Sequence, residues 1–408
     1  MNLGKVKHSK DFLELQKSLE ECDVLIVGSG LYGLTVAELA SRVFNMNCVI
    51  IEKRAEIGGN AHSYFDSETG IEVHKYGSHL FHTNSEKVYN YIRRFTRLNS
   101  YIHRVYANYG NRIYTLPFNL LTLNQVYGKI FTPTEAKELL ATFENPIKPY
   151  PQDFDFDDLE TKAIKMVGKD IYERLIEGYT YKQWQLHPSK LPANIISRLP
   201  VRTDYDDRYF SDKYQGLPVD GYANWFEKMI QSPRIKVFNE IDYFEIKEFT
   251  ENLPTVYTGA IDRFFDYNYG TLGWRTLDFV NEKLKVRDFQ GTSVMNYPDK
   301  EIPFTRIHEF RHLHPEREYP SNATVISREF SRLASQSDEP YYPINSLDDR
   351  TKLKNYRSMA KSVSNVHFGG RLGSYLYLDM HMAIGSAIQF MESEFENWLN
   401  NLRLTREF

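Results

Sequence analysis

The sequence predicts an α/β protein in which a discontinuous Rossmann-like dinucleotide-binding domain carries an inserted helical bundle and a twisted antiparallel β-sheet domain. Three observations carry this expectation. Branched apolar residues Val24 to Val27 run into Gly28, Gly30 and Gly33 in GxGxxG spacing. Residues 104 to 116 alternate around Gly110 and Asn111, a two-residue hairpin signal that departs from βαβ order. Short apolar runs then return at Lys236 to Phe238, Thr255 to Tyr257 and Val366 to Phe368.

The first unit sets the frame. After the glycines, helical apolar spacing runs through Leu34, Ala37, Leu39 and Val43, and a second strand, Cys48 to Ile51, ends at Glu52. An acid at that distance can accept hydrogen bonds from ribose hydroxyls, while the glycines let backbone approach a pyrophosphate at the positive end of the helix dipole. Ahead of it, Ser9 can cap a short helix with Phe12, Leu15 and Leu19 on one face.

Beyond this unit, IEVHKYGSHLFHT (71 to 83) holds three of the twelve histidines. Thr83 and Glu86 read as a capping box for a helix with Val88, Tyr91, Ile92, Phe95 and Leu98 on one face. Thr132, Pro133 and Glu135 start another helix, as do Asp157 and Glu160, so about 117 to 188 reads as helical. The acidic run Asp153 to Asp158 between them reads as a solvated loop. Pro188, Pro192 and Pro200 then break helical period in an aromatic, arginine-rich stretch that reads as a site-forming loop. Residues 271 to 345 suggest an antiparallel sheet, and Asp379 caps a long final helix through Ala383, Ile384, Ala387 and Ile388. The expected division is 1–100, 214–270 and 346–408 for the dinucleotide domain, 117–188 for the helices, and 101–116, 189–213 and 271–345 for the sheet.

Composition narrows the function classes. With 50 basic and 54 acidic residues the net charge is −4, which gives no general attraction to polyanions, so no nucleic-acid partner is expected. Cys22 and Cys48 are expected as core thiols, without a disulfide framework. His79 and His82 lack an acidic neighbour at ligand spacing, and no metal is expected. No run of about 18 apolar residues occurs, so no membrane span and a cytoplasmic location are expected. The 29 tyrosines suit a sugar or nucleotide site, where a flat apolar face and a hydroxyl are both used.

The segment EKRAEIGGNAHS, from Glu52 through Lys53, Arg54, Gly58, Gly59 and Asn60 to Ser63, resembles that of flavoproteins whose FAD lies extended across a Rossmann domain. FAD is therefore the expected cofactor.

Longer motifs, including HKYGSHLFHT, GYTYKQW, RLPVR, RYFSDKYQGLP, MNYPD, TRIHEFRH, DEPYYPIN and FGGRLGSYLYLDMH, resemble bacterial UDP-galactopyranose mutases from Asp23 to about Met391. The resemblance implies an isomerase that interconverts UDP-galactopyranose and UDP-galactofuranose without net redox change, supplying galactofuranose for cell-surface glycans. It implies reduced FAD, whose nitrogen five forms a covalent adduct with the sugar anomeric carbon, and a cellular reductant such as NAD(P)H. It also implies a homo-oligomer.

Residue by residue, the resemblance makes Arg198, Arg306 and His82 the catalytic set, the two arginines on the diphosphate, with His82 and His79 lining the flavin and sugar. Tyr209, Tyr342 and Tyr377 match tyrosines that assist with the phosphates, and His103 joins the substrate set. Tyr179, Thr180 and Asn296 go with the nucleotide part, and Trp184 with a mobile loop. Leu175 and Ile176 stand where some members have phenylalanines beside the base. The implied cofactor set is Gly28, Gly30, Leu31, Gly33, Glu52, Lys53, Arg54, Gly59, Asn60, His79, Leu80, Arg371, Tyr377, Asp379 and Met380. Other readings stay open: a mutase for UDP-N-acetylgalactosamine or a deoxythymidine-diphosphate deoxysugar, an FAD-dependent oxidoreductase, or a non-catalytic nucleotide-binding protein.

Overall fold

A computed structural model describes residues 10–144, 158–196 and 199–406. Its centre is a five-stranded parallel sheet in the order Val366–Phe368, Thr255–Tyr257, Val24–Val27, Cys48–Ile51, Ile235–Phe238. The strands are short apolar runs because both faces are covered, as parallel sheets require. Alternate residues feed different cores. Val24, Ile26, Cys48, Ile50 and Val256 pack under the Leu31–Phe44, Tyr222–Met229 and Met380–Ser393 helices. Leu25, Val27, Val49, Ile51 and Tyr257 face Leu15, Leu19, Tyr243, Phe264 and Tyr356 on the other side. The returning runs at 235–238, 255–257 and 366–368 thus rejoin the first sheet, and Cys22 and Cys48 are free thiols.

A seven-stranded sheet stands beside it, ordered Tyr342–Pro343, Trp274–Leu284, Thr324–Leu333, Arg306–Glu309, Val294–Asn296, Val105–Tyr109, Arg112–Leu116. The expected antiparallel pattern holds at every join but one: Val294–Asn296 pairs in parallel with Val105–Tyr109. The hairpin is attached to the sheet through that join. Gly110 and Asn111 both take positive φ, 56° and 58°, as the tight turn demands. Its buried Ala107 and Tyr114 pack with Leu120, Leu123, Leu159, Ala163, Ile171, Leu191 and Ile196, which ties the helical group to this end of the sheet.

Two helix starts differ from expectation by one or two residues. Ser85, not Thr83, caps the Glu86–Ile92 helix by accepting from the Val88 N–H, while Thr83 Oγ1 accepts from the Ser85 N–H. That helix ends before Phe95 and Leu98, and Leu98 bridges to Pro218 instead. Asp158 caps Leu159–Val167, accepting from the Thr161 N–H and hydroxyl at 2.9 and 2.8 Å. Asp157, Ser9 and the acidic run before Asp158 lie outside the described residues, and Asp158 itself is buried rather than solvated. The Thr132 start behaves as read, with reciprocal bonds between Thr132 and Glu135. Among the described residues no helix is long and apolar enough to cross a membrane.

Asp158→Ala should remove both capping bonds and cost about 1 kcal/mol of stability. A lower urea midpoint with an unchanged slope would be the expected reading.

Candidate active site

The first half of the site is a cleft of about 590 Å³ at the carboxyl ends of the parallel strands, where open α/β sheets bind ligands. Gly28 takes φ +98°, and a Cβ there would meet Thr258 Oγ1 at 2.2 Å; a Cβ at Gly33 would lie 2.1 Å from the Gly28 carbonyl oxygen. Gly33 therefore serves close packing of helix on turn and does not line the cleft. Gly28, Gly30, Leu31, Glu52, Lys53, Arg54, Gly59, Asn60, His79, Arg371 and Met380 do. Glu52 accepts from the Ser29 N–H and hydroxyl through Oε2 and from the Arg54 N–H through Oε1, so it also fixes the glycine turn. Lys53 and Arg54 both pair with Glu339, and Arg54 donates to Asn60.

Arg371 is differently placed. Its guanidinium donates to the Pro340 and Tyr341 carbonyls, and among the described residues no carboxylate comes within ion-pair distance. Burial lowers its pKa to about 10. A half-buried cation facing a cleft without a carboxylate of its own is a ready partner for an anionic ligand.

The second half is built around Arg306, at the start of a central strand of the larger sheet. It donates to the Tyr179 hydroxyl. Its Nε lies 3.1 Å from Glu329 Oε1, close enough for an ion pair but not aligned for a hydrogen bond. Burial opposes its charge, and Glu329 together with Tyr179, Tyr342 and Tyr209 more than offsets that, leaving the pKa raised. Glu329 is itself buried; Arg306 and His308 overcome the desolvation and hold its carboxyl below the usual range. His308 donates from Nε2 to Glu329 and accepts from Ser78 through Nδ1, so the Arg306 pair connects to the loop that carries His79. Tyr179, Tyr209 and Tyr342 all lie within electrostatic reach of Arg306, and Tyr342 also of Arg371. Tyr377 stacks on Tyr342 at 6.0 Å and donates to Asp379.

The histidines fill the space between the halves. His82 Nδ1 donates to Asp212 at 2.8 Å, its Nε2 is 4.0 Å from Asp379, and its ring stacks on Phe210 at 3.7 Å. His79 donates to the Gly77 carbonyl, and burial lowers it to about 4. His103 packs against Tyr209 and Phe210, with burial and then the Arg306 charge lowering it to about 3. Both are neutral imidazoles at pH 7. Asp379 stands at the amino end of the Met380–Ser393 helix as expected, but its side chain makes no capping bond.

Asn296, in strand register with Arg306, has a buried Oδ1 that meets no donor among the described residues, and Thr180 is buried in the neighbouring helix. Trp184 is the last residue of the Gly178–Trp184 helix and packs on the helical core, so any loop begins at Gln185. Leu80 packs into the dinucleotide-domain core rather than the cleft. Leu175 and Ile176 are buried in the helical core. Arg198 lies outside the described residues.

Sequence reading missed Glu329, His308 and Asp212. The signal for Glu329 was present: in TVISREFSRL the buried positions 327, 329 and 331 are Ser, Glu and Ser, a polar row on an inward face. Nothing local marks Asp212.

A family model described as UDP-galactopyranose mutase matches residues 174–377, and a model of an NAD(P)-binding Rossmann-like domain matches 26–95. A dTDP-fucopyranose mutase of Escherichia coli is 39% identical over 92% of this chain and 98% of its own. A probable UDP-galactopyranose mutase of Klebsiella pneumoniae is 38% identical, over 90% and 93%. The chain belongs to the UDP-galactopyranose mutase family. A crystal structure of reduced UDP-galactopyranose mutase shares the fold of this family member, with TM-score 0.70 at 13% identity over 93% of this chain and 96% of the other. A putrescine oxidase double mutant also shares the fold of this mutase-family chain, with TM-score 0.52 at 11% identity over 91% and 98%. The fold is thus common to different chemistries, and the site must choose between them.

Gly33→Ala should force the glycine turn away from its helix and reduce the dinucleotide content of the purified protein by about tenfold or more. Absorbance of the released cofactor per mole of protein measures this.

Proposed function

We propose that this protein is a pyranose–furanose mutase for a nucleoside diphosphate hexose, with UDP-galactose as substrate and reduced FAD as cofactor. The observation that carries the reading is Arg306, a guanidinium ringed by tyrosines and joined through Tyr342 to a second cation, Arg371, of the dinucleotide cleft. An oxidase acting on an uncharged amine or carbon centre has no need of that second anion site.

The cleft residues fit a flavin dinucleotide. Gly28 and Gly30 would hold its pyrophosphate against the turn, Glu52 would serve its ribose, and Arg371 would bring a charge with no carboxylate of its own among the described residues. Reduced FAD, when bound, supplies a nucleophile for the anomeric carbon and is regenerated, so a cellular reductant such as NAD(P)H is needed only to keep it reduced.

The chain does the rest. Arg306 and Arg198 stabilise the charge that grows on the diphosphate as the anomeric bond breaks, and hold the leaving group for its return. Tyr209, Tyr342 and Tyr377 donate to phosphate oxygens, while Tyr179, Thr180 and Asn296 hold the nucleoside. The buried Asn296 Oδ1 suits a base or ribose donor. Neutral His79 and His103 add no positive charge beside Arg371 and Arg306. Asp212 orients His82 so that its Nε2 faces the start of the Met380–Ser393 helix, whose positive dipole end favours an anionic reduced flavin.

A second substrate, a dTDP-deoxysugar, is favoured by one observation: the E. coli dTDP-fucopyranose mutase matches at about the same level as the K. pneumoniae relative. Dithionite-reduced protein given UDP-galactofuranose and dTDP-fucofuranose side by side, with pyranose product followed by chromatography, separates the two. Conversion of neither, or equal turnover by the oxidised protein, would overturn the proposal.

Arg306→Ala, with FAD content matched to the parent, should lower kcat by roughly a hundredfold, the size typical of one lost preorganised donor. Arg306→Lys should recover only part, since it restores charge without the planar fork. A raised KM with kcat intact would mean uniform binding and would contradict the transition-state role.

A further inference from the structure

Lys182 lies in the same helix as Tyr179 and Thr180, half-buried, and among the described residues its ammonium pairs with no carboxylate. Its Nζ is enclosed by four main-chain carbonyl oxygens: Tyr297 at 2.5 Å, Asp299 and Ile302 at 2.8 Å, and Phe304 at 3.0 Å. All four belong to the loop between the Val294–Asn296 and Arg306–Glu309 strands. Burial lowers the lysine to about 8, with Asp299 opposing, so it is protonated at neutral pH.

The loop is otherwise tightly joined to this helix. A Cβ at Gly178 would come within 2.1 Å of the Pro298 carbonyl oxygen, so helix and loop backbones touch. Lys300 of the loop pairs with Glu177 at 2.7 Å, but that pair is largely exposed and adds little. The loop ends are the informative part. It leaves the sheet after Asn296 and returns at Arg306, and Arg306 donates across the same seam to Tyr179. Every nucleotide-side residue of the proposed site is therefore on one of the two bodies that the ammonium joins.

Four converging carbonyl oxygens are also the coordination shell that proteins offer a dehydrated monovalent cation. We propose that Lys182 is a positioning residue: its ammonium occupies a built four-carbonyl cation site and so fixes the Tyr179–Thr180 helix against the Asn296–Arg306 loop. The nucleotide pocket depends on that occupancy. This inference rests on the reading that these residues hold the nucleoside diphosphate.

The test uses FAD-loaded Lys182→Ala, with UDP and dTDP as probes, titrated by calorimetry at constant ionic strength in lithium, potassium, ammonium or methylammonium chloride. In lithium the variant should bind about tenfold more weakly than the parent. Potassium, ammonium or methylammonium should restore most of that loss, and the parent should show no such preference. Lys182→Met, which fills the side-chain path without charge, should lose affinity without cation rescue at unchanged FAD content. Parent-like affinity in Lys182→Ala, or an equal loss in every salt, would overturn the inference. If Lys182→Ala does not fold, Lys182→Met decides, with parent-like nucleotide affinity as the contradicting result. A parent protein that binds neither nucleotide would count against the proposed function instead.

Discussion

Arg306 and Arg371 are two half-buried guanidinium groups within reach of one tyrosine, and the cost of keeping them there shapes the rest of the site. Stripping a guanidinium of water is expensive unless hydrogen bonds and opposite charge replace it. The two are compensated differently. Arg306 has Glu329 behind it, whereas Arg371 donates to the carbonyls of Pro340 and Tyr341, lies over the Trp274 ring and, among the described residues, pairs with no carboxylate. One cation is thus largely neutralised on its inner side and presents its outer edge among tyrosines, while the other has no carboxylate beside it among the described residues. In the proposed reaction this asymmetry is useful. A pyrophosphate that stays bound suits the uncompensated Arg371, and a leaving diphosphate that must return suits the tempered field of Arg306.

The compensation of Arg306 extends further than a pair. Glu329 accepts from His308 and from the Thr305 hydroxyl, and His308 accepts from Ser78, beside His79. Removing any partner would leave a buried polar group unsatisfied, which makes the network stiff. The strand carrying Arg306 and the loop lining the dinucleotide cleft are held in one register by it. Lysine 182, an ammonium among four carbonyls, holds the third wall, the helix of Tyr179 and Thr180.

What could be read from sequence was what local chemistry determines. The glycine turn, its helix, Glu52 and the Gly110–Asn111 hairpin each depend on residues a few positions apart, and each is where the reading placed it. Helix caps were less legible, because Thr83 and Ser85, or Asp157 and Asp158, offer equivalent oxygens and only backbone geometry chooses between them. The parallel join of Val294–Asn296 to Val105–Tyr109 was not legible at all, since pairing across nearly 190 residues leaves no periodic mark. For the site, motif matching supplied the residues proposed to touch ligand. It did not find Asp212, Glu329 or His308, whose work is on other side chains and shows only when distant strands are brought together.

In the proposed reaction Arg306, with Arg198, serves reversible loss of a diphosphate from an anomeric carbon. The most direct measurement is positional isotope exchange in UDP-galactose labelled with heavy oxygen between the anomeric carbon and the β-phosphorus. Reduced protein should scramble the label into the non-bridging β-phosphoryl positions, because the released diphosphate turns within its arginine site before returning. Ring isomerisation with the label held in the bridge would contradict the account.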